Sequence, residues 1–221
     1  MHSTEPLVGV PAIAFSSKRG YRTFGKRVFD LTLAVLSLPL LLPIIAICWA
    51  LARSDGGPGF FAHTRIGRNG RAFRCLKIRT MRPDAEALLA DLLAVSPAAR
   101  MEWDETQKLT NDPRVTRIGA VLRKTSLDEF PQIFNVIMGQ MSLVGPRPVV
   151  AAELDRYGPF ASIYSSVRPG VTGLWQVSGR NDLSYGERVQ LDVDYVSGLS
   201  MMRDIWLLLR TVLEVARRSG I

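Results

Sequence analysis

The side chains that could carry chemistry in this 221-residue chain are carboxylates, lysines and arginines. Only His2 and His63 are present, which leaves almost no material for a histidine-centred catalytic or metal constellation. Cys48 and Cys75 have neither the spacing nor the company of a metal site or a disulfide framework, and read as free thiols in a reducing compartment. The sharpest local constellation is Ser126-Leu127-Asp128-Glu129-Phe130-Pro131. Pro131 suits the first turn of a helix, where a missing donor costs little, so a helix is predicted to begin near Ser126 to Asp128. The free N–H groups at such an end favour a carboxylate or a phosphate. The plainer reading is a capping box between Ser126 and Glu129, with Asp128 merely compatible with the helix dipole.

Arginines recur beside turn residues. Arg147 stands between Pro146 and Pro148, and the following proline restricts it to an extended backbone, so its guanidinium can be offered to phosphate as a preorganised fork. Arg168-Pro169-Gly170 and Gly179-Arg180 supply two more on tight turns, while Lys77 and Arg79 share a face if their stretch is extended. Any one of these taken singly is more often a solvated surface residue than a ligand. It is their company with Asp128 and Glu129 that points to phosphate chemistry.

Three segments must position these groups: a weakly ordered N-terminal tail at 1–20, a membrane segment at 21–53, and a cytoplasmic-face domain at 54–221 that ends in an amphipathic helix. Leu31 to Ala52 contains no charged side chain and is about long enough to cross the ~30 Å hydrocarbon layer. It lies too far in, and lacks a small-residue cleavage site, for a secretory signal. A buried core helix, a simple span and a re-entrant helix hairpin all fit its length. Two features favour the hairpin: Pro39 and Pro43 near the middle, where a sharp bend is expected, and basic residues on both flanks, which make both ends look cytoplasmic.

Beyond it, Asn69-Gly70 between Arg68 and Arg71 predicts a two-residue β-hairpin turn within Phe60 to Lys77. Helices are predicted over Asp84 to Ala94, Val115 to Arg123, Leu127 or Asp128 to Met138, and Asp204 to Arg218. The last repeats Ile205, Leu208, Leu209, Val212, Leu213 and Ala216 at helical spacing, which suits a membrane interface or the cover of a soluble core equally. The fold class is thus α+β, mostly helical, with a re-entrant helix hairpin, a small β-hairpin and amphipathic interfacial helices. A net charge of +8 attracts anions: nucleic acid, an anionic leaflet or phosphate-bearing substrates. Nucleic acid is the poorest of these, since no helix-turn-helix, zinc or aromatic RNA-binding signature accompanies the charge.

Read together, these motifs resemble the monotopic phosphoglycosyl transferases, also called the bacterial sugar transferase family. The resemblance rests on Lys26-Arg27 with Phe29-Asp30-Leu31, Gly57-Pro58 with Phe60-Phe61, Arg65-Ile66-Gly67 with Gly70, and Lys77-Ile78-Arg79-Thr80-Met81. It continues through Asp112-Pro113-Arg114, Leu122-Arg123, Ser126 to Glu129 with Pro131-Gln132, Asn135-Val136, Met141 to Pro148, and Arg168-Pro169-Gly170 to Gly179-Arg180. Leu143 to Val149 and Gly173 to Gln176 look closest to the members that start exopolysaccharides with galactose or glucose. Two departures stand out: Ile78 where the family commonly has Phe, and Leu38 separating Ser37 from Pro39 where relatives often have Ser-Pro.

What the resemblance implies fits the residues. Asp128 is expected to attack the sugar-bearing phosphorus of a UDP-sugar, releasing UMP and leaving an aspartyl-phosphosugar that undecaprenyl phosphate then takes. Glu129, with Asp128, is expected to hold Mg2+ or assist proton movement. Arg147 would clamp phosphate, with Lys77, Thr80, Arg123 and Arg168 as further groups of the same pocket. The implied partners are a UDP-sugar, undecaprenyl phosphate and membrane lipid at the cytoplasmic face of the bacterial inner membrane, with homo-oligomerisation left open. The competing reading is a non-catalytic membrane-anchored scaffold of glycan assembly, against which the joint presence of Asp128, Glu129 and Arg147 argues.

Overall fold

The computed structural model describes residues 20–106, 109–179 and 183–216. The predicted tail, apart from Gly20, and Arg180 lie outside the described residues. A π-helical turn, Tyr21–Gly25, leads into one long helix, α1, Lys26–Ala52. A sharp bend at the prolines, within a re-entrant helix hairpin, was expected here. Helical structure instead continues through Pro39 and Pro43. The prolines stand four residues apart, so the donors they lack would have bonded the carbonyls of Val35 and Pro39, one above the other on one side of the helix. Loss along one side bends a helix and leaves its other rows of hydrogen bonds intact. Ser37 Oγ also donates to Ala34 O at 2.8 Å, a local back-bond that favours bending.

α1 has the length and apolarity of a membrane-crossing helix. Val35, Leu36, Leu40 and Ile47 are exposed along it, where a water-soluble protein would bury such residues. Both its ends rest on the rest of the chain. At the N-terminal end, Lys26 Nζ lies 2.8 Å from the buried Asp204, which also accepts from the hydroxyls of Tyr21 (2.6 Å) and Tyr195 (2.7 Å). Arg27 donates to the carbonyls of Val136 (2.6 Å) and Ile137 (3.0 Å). Asp30 accepts from Ser142 Oγ at 2.7 Å and from the Leu143 N–H at 3.2 Å. At the other end, Arg79 donates to Ala52 O at 2.6 Å, and Ile45, Cys48 and Ala52 pack into a core with Phe73, Cys75, Ile78 and Leu122.

The predicted hairpin is present: β1, Phe60–Ile66, pairs antiparallel with β2, Ala72–Ile78. Its loop has three residues where two were expected, because Ile66 faces Ala72 and the Gly67 N–H donates to Arg71 O at 2.8 Å. Asn69 (φ 59°) and Gly70 (φ 71°) supply the left-handed backbone that Asn-Gly tolerates. α2 (Ala85–Val95) and α3 (Pro97–Thr106) follow, then α4 (Arg117–Thr125), capped by Thr116, whose hydroxyl accepts from the Gly119 N–H at 2.8 Å.

The helix expected from Leu127 or Asp128 to Met138 is divided. A 3-10 turn, Leu127–Glu129, precedes α5, Gln132–Ile137, because Pro131 has no N–H to continue the ladder. β3 (Ser142–Val144), α6 (Ala151–Asp155), α7 (Ala161–Ser165), β4 (Gly170–Thr172), α8 (Leu174–Ser178), α9 (Tyr185–Ser197) and α10 (Met201–Ala216) complete the chain. β3 and β4 pair in parallel, Ser142 with Gly170 and Val144 with Thr172. The result is the expected mostly helical α+β fold. On α10, Asp204 and Leu207 are buried and Leu208 packs on the same core, while Trp206, Leu209, Val212 and Leu213 are exposed, so most of its apolar stripe faces outward.

Candidate active site

Two local devices bring Asp128 and Glu129 to one place. Ser126 ends α4 in the left-handed region (φ 57°), turning the chain sharply into the 3-10 turn that carries both carboxylates. The capping-box reading does not hold: the Ser126 side chain caps no backbone donor, and the Glu129 carboxylate turns away to Lys77. The penultimate residue of β2 thereby becomes the cation of the site. Lys77 Nζ donates to Glu129 Oε1 at 2.6 Å and lies 3.7 Å from Asp128 Oδ2.

Asp128 is buried and Glu129 half-buried, and their electrostatics differ in sign. Burial pushes the Asp128 carboxyl above the ordinary aspartate value, and the neighbouring Glu129 charge adds to this, against Lys77 and Arg123. Burial also raises Glu129, but the cations of Lys77 and Arg147 outweigh it and hold that carboxyl below its usual range. Two adjacent carboxylates whose ionisation is pushed apart suit two roles.

An open pocket of about 290 Å³ lies against Glu129 and Lys77, walled also by Arg65, Cys75, Gln132, Arg147 and Gln176 among others, and Asp128 stands behind that wall, next to Lys77. Arg147 reaches it from the turn after β3, its guanidinium 5.9 Å from the centre of the Trp175 ring. That turn depends on close backbone approach, since a side chain at Gly145 would meet Arg168 O at 2.6 Å and Gly170 N at 2.8 Å. Arg65 crosses from β1 and is tied to Glu153 at 3.2 Å.

The other expected residues separate. Thr80 is buried beneath α4 and its hydroxyl accepts from Arg123 Nε at 2.9 Å, so the pair sets the position of Arg123, whose charge bears on Asp128. α4 can approach this closely only because residue 119 is glycine, where a Cβ would stand 2.0 Å from Thr80 O. Arg79 does not join Lys77 at the site. It pairs with Asp55 and donates to the carbonyls of Ala52 (2.6 Å), Pro58 (2.5 Å) and Met81 (2.6 Å), pinning the end of α1. Arg168 is not in this pocket: its Nε donates to Gly139 O at 2.7 Å, and it lines a separate cavity with Arg27.

Arg65, Gln132 and Gln176 were not singled out as site residues from the sequence. Arg65 was hidden by the register: a two-residue turn at Asn69-Gly70 would pair it with Arg74, on the face opposite Lys77, whereas the observed loop pairs it with Phe73, on the face of Cys75 and Lys77. Among the described residues no group of three or more His, Cys, Asp or Glu side chains could hold a metal by itself. Asp128 and Glu129 fit the weaker demand of Mg2+, which commonly takes one or two protein carboxylates and completes its shell with water and substrate phosphate.

Residues 21–218 match the family model described as bacterial sugar transferase. The chain is 51% identical over 197 residues to a UDP-galactose-lipid carrier transferase of Erwinia amylovora, covering 89% of this chain and 41% of that protein. It is 47% identical over 204 residues to an undecaprenyl-phosphate galactose phosphotransferase of Salmonella typhimurium, covering 92% of this chain and 43% of that protein. The chain thus spans about two fifths of the length of these relatives. It matches the exopolysaccharide production protein ExoY of Rhizobium meliloti over nearly all of both chains, with 49% identity, 88% of this chain and 87% of that protein. By the family model and by these relatives, the chain belongs to the bacterial sugar transferase family.

Proposed function

We propose that this protein transfers a hexose-1-phosphate from a UDP-sugar to undecaprenyl phosphate, giving undecaprenyl diphosphate sugar and UMP, as the first membrane step of exopolysaccharide synthesis. The observation that supports the reading is a buried Asp128 carboxylate 3.7 Å from Lys77, which with Glu129 lines a pocket edged by Arg65 and Arg147. An Asp128 oxygen attacks the sugar-bearing phosphorus, the bond to UMP breaks, and a mixed acyl phosphate remains on the enzyme. An oxygen of undecaprenyl phosphate then attacks the same phosphorus and Asp128 leaves as the carboxylate. Lys77 keeps Glu129 ionised and favours the Asp128 anion too, against the burial that raises Asp128. Arg147 and Arg65 bind the phosphate oxygens, and Arg123, seated on Thr80, offsets charge behind Asp128. Mg2+, which Glu129 and Asp128 would hold, would offset the repulsion between two anions.

The relatives' names support both the lipid carrier and the nucleotide. α1 is read as re-entrant, with the site at the cytoplasmic face of the inner membrane. Support comes from its two ends, which both rest on the one body of protein through Lys26 and Arg27 at one and Ala52 at the other. α10 with its outward apolar stripe suits the adjoining interface.

The test is a panel of UDP-sugars with phosphorus label on the sugar-bearing phosphate, incubated with purified protein, undecaprenyl phosphate and Mg2+. One sugar should release UMP and label the protein, and Asp128→Asn should lose both. Label retained on Asp128→Asn would remove the nucleophile assignment, and silence with every sugar would leave the scaffold reading.

A further inference from the structure

A second pocket, of about 590 Å³, opens at the N-terminal end of α1 and shares no lining residue with the first. Its wall includes Arg22, Lys26, Arg27, Arg68 and Arg168, against one carboxylate, Asp30. That carboxylate is engaged by Ser142, the Leu143 N–H and Lys26, and Lys26 is itself matched by Asp204. Among the described residues no carboxylate lies within 4.0 Å of the guanidinium of Arg27, Arg68 or Arg168. Arg27 and Arg168 are held by the neutral carbonyls of Val136, Ile137 and Gly139. Those bonds fix the two forks in place and leave their charge uncompensated. Burial, and after it the charges of Arg27 and Arg68, press the Arg168 guanidinium below its usual range, so the three cations repel one another across this space.

A fixed set of arginine forks with unspent charge matches the oxygens of a phosphate group. Its place in the fold says which kind. Phe24 and Val28 are exposed at the same end of α1, and the helix continues into its exposed apolar length. On the reading that α1 lies in the membrane, this pocket stands at the level where hydrocarbon gives way to headgroups. We infer that it binds the phosphate of an anionic membrane phospholipid through Arg27, Arg68 and Arg168, separately from the catalytic pocket. Such a lipid sets the depth and tilt of α1 against the leaflet and favours leaflets rich in anionic lipid.

The experiment titrates the full chain in neutral detergent with short-chain phosphatidylglycerol, with diacylglycerol of the same chains and with inorganic phosphate. Thermal unfolding and native mass spectrometry report binding. Phosphatidylglycerol should raise Tm saturably, diacylglycerol should not, and inorganic phosphate should compete far more weakly than the lipid. Arg68→Glu, at the exposed hairpin tip, and Arg168→Gln should each weaken phosphatidylglycerol binding by at least about tenfold. Asp128→Asn should bind it as the unaltered protein does. Unchanged affinity in Arg68→Glu and Arg168→Gln would overturn the proposal, as would equal binding by diacylglycerol or equal potency of inorganic phosphate. Partition into neutral phosphatidylcholine vesicles separates the two readings. A chain that does not partition has lost the membrane reading, whereas one that does, with lipid affinity unchanged by the variants, has lost only this pocket.

Discussion

Lys77 is bonded to one carboxylate and lies close to a second, and its charge acts on both, so its removal should be read in protons before it is read in structure. Because burial raises Asp128, the anion that the proposed mechanism requires is lost as pH falls through a value above the ordinary aspartate range. The acid limb of kcat/KM for UMP release should therefore lie above pH 3.8. In Lys77→Gln that limb should move to higher pH, since the cation lowering both carboxyls is gone; a limb that stays in place would show that neither group titrates in the rate. Arg147→Lys keeps charge and loses the fork, so the rate should fall at least about tenfold, or ~1.4 kcal/mol. Near-normal kinetics in this variant would show that charge alone matters there. Asp128, Glu129, Lys77 and Arg147 each stand in a short run of unusual residues, and the structure brings these four close together. Arg168 was misread because its place depends on the parallel pairing of β3 and β4, a contact across 28 residues that no local pattern announces.

At the scale of elements, local signals did well and long-range ones did not. Asn69-Gly70 announced the hairpin, and Pro131 announced a helix start, though a 3-10 turn intervenes before α5. The prolines of α1 announced a bend, whereas the sequence held no sign that enough hydrogen bonds survive to keep one helix. Their effect on topology can be tested directly. In a background with Cys48 and Cys75 changed to Ser, a single reporter cysteine at Ser17 is probed in intact cells with a membrane-impermeant thiol reagent. The reporter should be protected with both prolines present and labelled in Pro39→Leu/Pro43→Leu, where the two missing hydrogen bonds return and a straight helix of this length can span. Labelling with the prolines in place would mean an ordinary span, and the re-entrant reading would fall.

At the scale of the molecule, the buried meeting of Lys26, Asp204, Tyr21 and Tyr195 joins α1 to α9 and α10. Lys26→Met strands the Asp204 carboxylate in the interior and should cost about 3–5 kcal/mol, seen as a lower unfolding midpoint in detergent. An unchanged midpoint would mean that water reaches the pair. The tethering of both ends of α1 to one body has a different consequence, which concerns the bilayer. On the re-entrant reading, a 27-residue helix, about 40 Å long and held at both ends to one body, reaches at most about 20 Å from its anchors, less than the ~30 Å of hydrocarbon. Hydrophobic mismatch, which a spanning helix meets by tilting or by deforming lipid, then has no opposite surface to act on. Turnover in vesicles should stay nearly flat as acyl chains lengthen from fourteen to twenty-two carbons, about the range over which spanning proteins feel thickness. A sharp optimum in chain length would show that α1 touches both sides of the membrane.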